Sequence, residues 1–92
     1  MKVVVTAAAF VDLDQILTYT GEHYPYLVER VERRIRSVIT RIGEWPNMAR
    51  TLEGRPDIRV VPLVRYPYRI FYRIEDERVE ILHIHHTARN SL

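Results

Sequence analysis

Three strand-like segments in the last third of the chain constrain its fold more than any other feature. They cover residues 58–64, 68–74 and 78–85. Each is rich in β-branched and aromatic residues, as strands are. Three acidic residues at 75–77 predict a hairpin turn between the last two segments, and Pro62 predicts that the first segment is an edge strand or is bulged. We therefore expect an antiparallel meander of three strands.

The same stretch carries a row of arginines with no acidic residue among them. They are Arg59, Arg65, Arg69 and Arg73. In the segment 68–74, tyrosine and isoleucine alternate with Arg69, Phe71 and Arg73, which places these two arginines on one face of the strand. Guanidinium groups make bidentate contacts with phosphates and carboxylates. This arginine row therefore predicts a surface for an acidic protein or a nucleic acid, although arginines on an open sheet face can also be simply solvated.

The first half of the chain has helical periodicity. After a short strand of valines at 3–5, apolar residues at three- and four-residue spacing predict a helix over 7–19 that Gly21 closes. A second helix is expected to begin at Tyr24-Pro25, because proline is tolerated in the first turn of a helix. A glycine at the end of its apolar period, Gly43, predicts where it ends.

Residues 45–57 contain two prolines and a glycine without a clear period, so they predict a connecting loop. The predicted order is a strand, a helical hairpin and then the three-stranded antiparallel meander. The fold class is therefore α+β, in the order β-α-α-β-β-β, with both helices packed on one face of the sheet.

Size and composition indicate one globular domain. A chain of 92 residues is too short for two cores of useful size, so we expect a single domain over residues 1–92. Hydrophobic residues make up 47% and the net charge is only +2, so disorder is excluded and bulk charge does not establish nucleic-acid binding. Cysteine is absent, and no apolar run approaches the roughly 20 residues of a membrane span. We therefore expect a cytoplasmic protein without a membrane partner.

Three histidines end the last predicted strand, namely His83, His85 and His86, and Arg89 follows them. His83 and His85 are two residues apart and should point to the same side. A catalytic zinc ion normally needs a third protein ligand and none stands out, so we expect no metal site and no cofactor. His86 is the better candidate for proton transfer, although a capping role is more common for such a histidine. No nucleophilic triad or glycine-rich phosphate loop is evident.

Four parts of the chain together match one family pattern. They are the first-helix positions Ala9, Asp12-Leu13, Ile16 and Tyr19, the break at Tyr24-Pro25, the strand at 68–74, and the closing residues Ile81, Leu82, His83 and Ile84 with His86 and Arg89. Because these parts occur in the right order over nearly the whole length, the chain resembles the RelE/ParE superfamily of toxins from bacterial type II toxin-antitoxin systems. The first-helix positions resemble the ParE branch in particular.

The resemblance implies one of two activities. ParE-like toxins poison DNA gyrase and need a binding surface, whereas RelE-like toxins cut mRNA on the ribosome by metal-independent attack of a ribose 2′-hydroxyl on the adjacent phosphate. The residues implied for a ribonuclease are Arg65, Arg69, His86 and Arg89. However, Lys2 is the only lysine, so the lysine-rich site of some RelE toxins is missing, and the terminal histidine of another ribonuclease group would fall nearer Thr87. These departures favour the gyrase poison, which is not an enzyme.

Either activity implies a cognate antitoxin and a hetero-oligomeric complex with it. Antitoxin segments of this kind are usually acidic and fold on binding, which suits a basic sheet. The residues expected to contact the antitoxin or the target are Arg59, Arg65, Arg69, Arg73 and Arg89. Under a third hypothesis the chain is inactive and serves only as the antitoxin's partner in repressing their operon, which predicts harmless overexpression.

Overall fold

The computed structural model describes residues 1–88 and shows two helices packed on one face of a five-stranded sheet. The helices are α1 (Ala7–His23) and α2 (Val28–Glu44), with a short 3₁₀ turn (Pro25–Leu27) between them. The strands are β1 (Lys2–Val5), β2 (Arg50–Leu52), β3 (Arg55–Pro62), β4 (Tyr68–Glu75) and β5 (Arg78–His86). Their order is β1-β5-β4-β3-β2, with β1 parallel to β5 and all other neighbours antiparallel. The predicted α+β class is confirmed.

The segment 45–57 contains a strand, so the prediction of a connecting loop was wrong. In the hairpin of β2 and β3, Arg50 pairs with Val60, and Gly54 makes the turn with a φ of +80°. The sheet therefore has one strand more than expected, and β3 begins earlier, at Arg55. A strand of three residues is too short to show an alternation, which is why the sequence did not reveal β2.

Pro62 lies in an interior strand, so the predicted edge strand is wrong, but the alternative of a bulged strand agrees with the register shift between β3 and β2. Pairing with β2 ends at Val60, and Pro62 pairs only with Arg69 of β4. Because proline has no N–H to donate, it fits the part of β3 that β2 does not cover. It therefore marks a local edge within β3.

The predicted hairpin turn between β4 and β5 is confirmed. Its two central residues, Asp76 and Glu77, have φ values of 50° and 61°. Positive φ at both positions matches the right-handed twist of the flanking strands in a two-residue hairpin.

α1 runs further than predicted, whereas α2 begins later than predicted, at Val28, because residues 25–27 form a 3₁₀ turn. α1 begins after Thr6, whose Oγ1 accepts the Ala9 N–H (3.2 Å), and it continues through Gly21 to His23. Glycine inside a helix costs only about 1 kcal/mol relative to alanine, so Gly21 does not end it. Gly43 lies in the last turn of α2, and a Cβ there would be 2.7 Å from Cγ2 of Val3. Gly43 therefore allows α2 to approach β1 closely. Neither helix in residues 1–88 is long and apolar enough to cross a membrane.

Each face of the sheet carries an apolar cluster. The larger cluster lies between the sheet and the helices, and its fully buried members include Ile35, Ile42, Ile70, Tyr72 and Ile81. On the opposite face, Ile58, Val60 and Phe71 form a smaller cluster. The alternation predicted for β4 is therefore confirmed, since Ile70 and Tyr72 face the helices while Phe71 faces away.

A bulge in β5 changes which of its side chains face the helices. Leu82 is an extra residue relative to β4. Ile81 lies in the cluster under the helices before the bulge, and Ile84 does so after it. Without the extra residue, the alternation would turn His83 and His85 into that cluster. The bulge therefore buries an isoleucine under the helices and places the two histidines on the other side of the strand.

Candidate functional site

The candidate site lies where β5 extends beyond β1. The pairing between these strands ends at Val5 and Ile81, and α1 covers the edge of β5 from there on. The Thr6 hydroxyl donates to the Ile81 carbonyl (2.7 Å), and Asp12 Oδ2 accepts the Ile84 N–H (2.9 Å). Because a buried N–H without a partner is costly, a carboxylate from α1 takes the place of the missing strand.

Asp12 also contacts two histidines, and we call these three residues the Asp-His-His cluster. His83 Nδ1 donates to Asp12 Oδ2 (2.9 Å), and His85 Nε2 lies 3.9 Å from the same oxygen. The two imidazole centroids are 4.7 Å apart, which confirms that both rings lie on one side of β5. Sequence reasoning missed Asp12 as a member because it precedes His83 by 71 residues, and only the fold brings α1 to this edge.

A groove of about 460 Å³ opens beside the cluster, between α1 and the ends of β4 and β5. Its apolar wall includes Ile16, Tyr19, Tyr24, Leu27, Tyr66 and Tyr68. Its polar lining residues include Asp12, His85 and His86. Burial raises the pKa of Tyr68 above its ordinary value of 10.0. A concave, mostly apolar groove with a few polar groups suits an aromatic or aliphatic side chain of a partner.

The structure divides the arginine row between the two faces of the sheet. Arg59 pairs in register with the buried Tyr72, on the helix side, and its Nη1 donates to the Ala49 carbonyl (2.6 Å). Arg73 lies on the opposite face, where its Nε donates to Glu80 Oε1 (2.7 Å). Arg59 and Arg73 therefore do not form one basic surface, and each has a polar partner within the chain.

The other two described members of the row lie in β4 and in the segment before it. Arg65 is exposed in the segment between β3 and β4. The Arg69 guanidinium lies over the Phe71 ring, 5.7 Å from its centroid, on the face away from the helices. This is a cation–π geometry. The fifth predicted residue, Arg89, lies outside the described residues.

Two of the residues implied for a ribonuclease, Arg69 and His86, are separated by the sheet. Tyr68 pairs with His86 and Arg69 pairs with His85, so His86 and Arg69 are on opposite faces of the sheet. The His86 ring is edge-on to Tyr68 with centroids 5.5 Å apart, and its Nδ1 accepts the Ala88 N–H (3.0 Å). His86 therefore stabilises the turn after β5, which agrees with the capping role considered for it.

Known proteins resemble this chain in both sequence and fold. The family model of the ParE toxin of type II toxin-antitoxin system, parDE, matches residues 3–91. Toxin RelE2 of Caulobacter vibrioides is 33% identical over 89 residues, which cover 96% of this chain and 97% of that toxin. A solved chain of the chromosomal ParDE TA system from P. aeruginosa has a TM-score of 0.82 at 22% identity, covering 94% of this chain and 95% of its own. A chain of the intact E. coli RelBE toxin-antitoxin complex has a TM-score of 0.63 at 19% identity, covering 96% and 98%.

Proposed function

Because the chain belongs to the ParE toxin family of type II toxin-antitoxin systems, we propose that it stops bacterial growth by poisoning DNA gyrase and that a cognate antitoxin neutralises it. The separation of Arg69 and His86 by the sheet supports the gyrase target. Cleavage of RNA needs a base, an acid and cations around one phosphate. A histidine and an arginine on opposite faces do not provide that arrangement, whereas a gyrase poison needs only a binding surface.

We assign the target-binding surface to the face of the sheet away from the helices. It carries Arg69 over Phe71, and Arg65 lies exposed in the segment just before β4. The Phe71 ring is buried and supports the guanidinium from beneath, and arginine is typical of strong contacts at protein interfaces. Arg59 and Arg73 are bound to groups of the chain itself, so we expect them to contribute to the fold more than to target binding.

We assign the groove beside α1 to the antitoxin. Tyrosines at its rim are partly exposed, with Tyr19 at 51% and Tyr24 at 46%, and Tyr26 nearby is exposed at 74%. Exposed aromatic side chains around an apolar groove are a common docking surface for a segment that folds on binding. An acidic antitoxin segment that continues from the groove to Arg65 would neutralise the toxin by covering its basic residues.

Ribosome-dependent mRNA cleavage is the second candidate function, and one observation favours it. The relative from C. vibrioides is named a RelE toxin and is similar over nearly the whole chain. Under this alternative the protein is a metal-independent endoribonuclease. Arg65, Arg69, His86 and Arg89 would then contact the RNA, with His86 as the group that transfers a proton.

Induction of the chain alone in bacteria tests the proposed function. DNA, RNA and protein synthesis would be followed by pulse labelling, with supercoiling by purified gyrase assayed in parallel. We expect DNA synthesis to stop first and gyrase to accumulate on cleaved DNA. An immediate stop of translation with cut mRNA and unaffected gyrase would overturn the gyrase proposal in favour of the ribonuclease. Harmless induction would instead support the inactive partner of the antitoxin.

A double variant, Arg65→Ala with Arg69→Ala, tests the target-binding surface. We expect at least about tenfold weaker gyrase inhibition, because each charge-assisted hydrogen bond contributes roughly 1.5–3 kcal/mol. The matched control is Arg33→Ala with Arg36→Ala, which removes the same charge from the exposed face of α2 and should leave inhibition unchanged. If both double variants are folded by circular dichroism and both lose gyrase inhibition equally, inhibition depends on the net charge of the protein and not on the proposed surface. Adding Arg89→Ala should deepen the loss.

A further inference from the structure

The Asp-His-His cluster has the ligand set of a transition-metal site. One candidate ligand atom from each of Asp12, His83 and His85 lies within 4.8 Å of the other two. Two imidazoles and one carboxylate are ligands that zinc uses in sites with an open coordination position. At zinc bond lengths of about 2.0–2.1 Å, neighbouring ligands of a tetrahedral site are about 3.3 Å apart. The distances of Asp12 Oδ2 to His83 Nδ1 (2.9 Å) and to His85 Nε2 (3.9 Å) bracket that value.

We propose that Asp12, His83 and His85 bind one Zn²⁺ ion that links α1 to the edge of β5. The sequence alone argues against a metal because it shows only two histidines without a third ligand. The fold supplies the third ligand, because Asp12 Oδ2 lies close to both His83 and His85. The third pair, formed by the two imidazole nitrogens, lies within 4.8 Å, so the two rings would approach each other by up to about 1.5 Å when they bind the ion.

The surroundings of the cluster prepare its ligands for an ion. The Ile84 N–H donates to the Asp12 carboxylate and fixes its orientation, as outer hydrogen bonds do for metal ligands. The side chains of Asp12 and His85 are only 13% and 7% exposed, whereas that of His83 is 35% exposed. The ion would therefore enter from the His83 side, and His83 would bind it through Nδ1 as a neutral imidazole with its ring proton on Nε2.

A purely structural role accounts for only part of this arrangement. Covering the edge of β5 requires the bond from the Ile84 N–H to Asp12, and no histidine is needed for it. The bulge at Leu82 nevertheless turns two imidazoles to the side from which Asp12 approaches. A metal ion accounts for both histidines together. Because Asp12 and His85 also line the groove, a bound ion would fix one of its walls.

Titration of the untagged full-length chain with Zn²⁺ by calorimetry at neutral pH tests the proposal. Co²⁺ serves as a second probe, because its visible absorption reports the coordination geometry. The informative variants are Asp12→Asn, which keeps an oxygen for the Ile84 N–H, and His83→Gln, which changes a partly exposed side chain. The matched controls are His86→Gln and His23→Gln, which remove exposed histidines outside the cluster.

We expect the wild type to bind one Zn²⁺ per chain and to show Co²⁺ bands of a low-coordinate site. Loss of a residue that hydrogen-bonds to a metal ligand weakens metal binding by about 10- to 100-fold. Loss of a ligand itself, in Asp12→Asn or His83→Gln, should therefore weaken Zn²⁺ binding by at least about 100-fold. Both controls should stay within about twofold of the wild type. The proposal is overturned if the wild type shows no saturable uptake, or if both cluster variants bind as the wild type does. If Asp12→Asn fails to fold, His83→Gln alone decides.

Discussion

The two halves of β5 are held in place by different means. From Arg78 to Ile81 the strand lies between β1 and β4, and backbone pairing occupies both of its edges. From residue 82 onward β1 is absent, and Asp12 of α1 covers the free edge through the Ile84 N–H. The paired half buries apolar side chains such as Ile81, whereas the half covered by α1 carries all three histidines of the strand.

This difference shows where a small sheet protein can carry polar groups. In the paired half, both edges are occupied and the side chains under the helices are apolar, so a polar side chain such as Glu80 finds its partners on the opposite face. In the other half, the Asp12 carboxylate of α1 accepts the Ile84 N–H in place of a neighbouring strand. The same carboxylate also contacts His83 and His85. The two histidines of the Asp-His-His cluster and His86 of the groove all lie in this second half.

Shortening a buried side chain in the paired half of β5 should have the largest effect on stability. Ile81 is fully buried between the sheet and the helices. Ile81→Ala should lower the free energy of unfolding by about 3 kcal/mol, because it removes buried methylene groups and leaves a cavity. Urea unfolding measures this loss. Val64→Ala is the control at a side chain that is 81% exposed, and its effect should stay below about 0.5 kcal/mol. Similar losses in both variants would contradict the assignment of Ile81 to the core.

Removal of the side chain that covers the free edge should have a smaller effect. Asp12→Ala leaves the Ile84 N–H without its acceptor, which costs about 2 kcal/mol. Asp12→Asn keeps an oxygen in place and should cost clearly less. Urea unfolding gives the free energies, and amide hydrogen exchange at Ile84 reports the local opening. The control is Asp14→Ala on the exposed face of the same helix. If Asp12→Ala behaves as this control does, α1 does not stabilise the edge of β5.

The difference between the two halves also explains how much the sequence could predict. Helices, the three main strands and the turn at 75–77 follow from local periodicity, which a single segment contains. The bulge at Leu82 depends on the pairing with β4, and β2 is too short to have a period, so neither is visible locally. The two-residue spacing of His83 and His85 predicts that both lie on one side of β5. Only the fold shows that Asp12 contacts them. The sequence shows where the arginines are in the chain, but it does not show the hydrogen bonds of Arg59 to Ala49 and of Arg73 to Glu80.

The smallest expected effect concerns charge in the paired half, where Glu80 lies between two arginines. Hydrogen bonds from Arg73 (2.7 Å) and Arg78 (2.9 Å) hold the pKa of Glu80 below its usual value of 4.5. The folded state therefore holds this proton less tightly than the unfolded state does. Such a carboxylate stabilises the fold fully above the unfolded pKa, and its contribution is lost as the pH falls through the lower, folded pKa.

Glu80→Gln should therefore lower stability at neutral pH and make little difference in strong acid. Urea unfolding of both proteins over a range of pH should give curves that converge as the pH falls below about 4.5. Glu77→Gln removes the same charge from the exposed turn and should leave the wild-type curve almost unchanged, since exposed ion pairs contribute little. Parallel curves for Glu80→Gln and the wild type would show that the two arginines do not stabilise the ionised carboxylate. The paired half would then depend on its backbone bonds and apolar core alone.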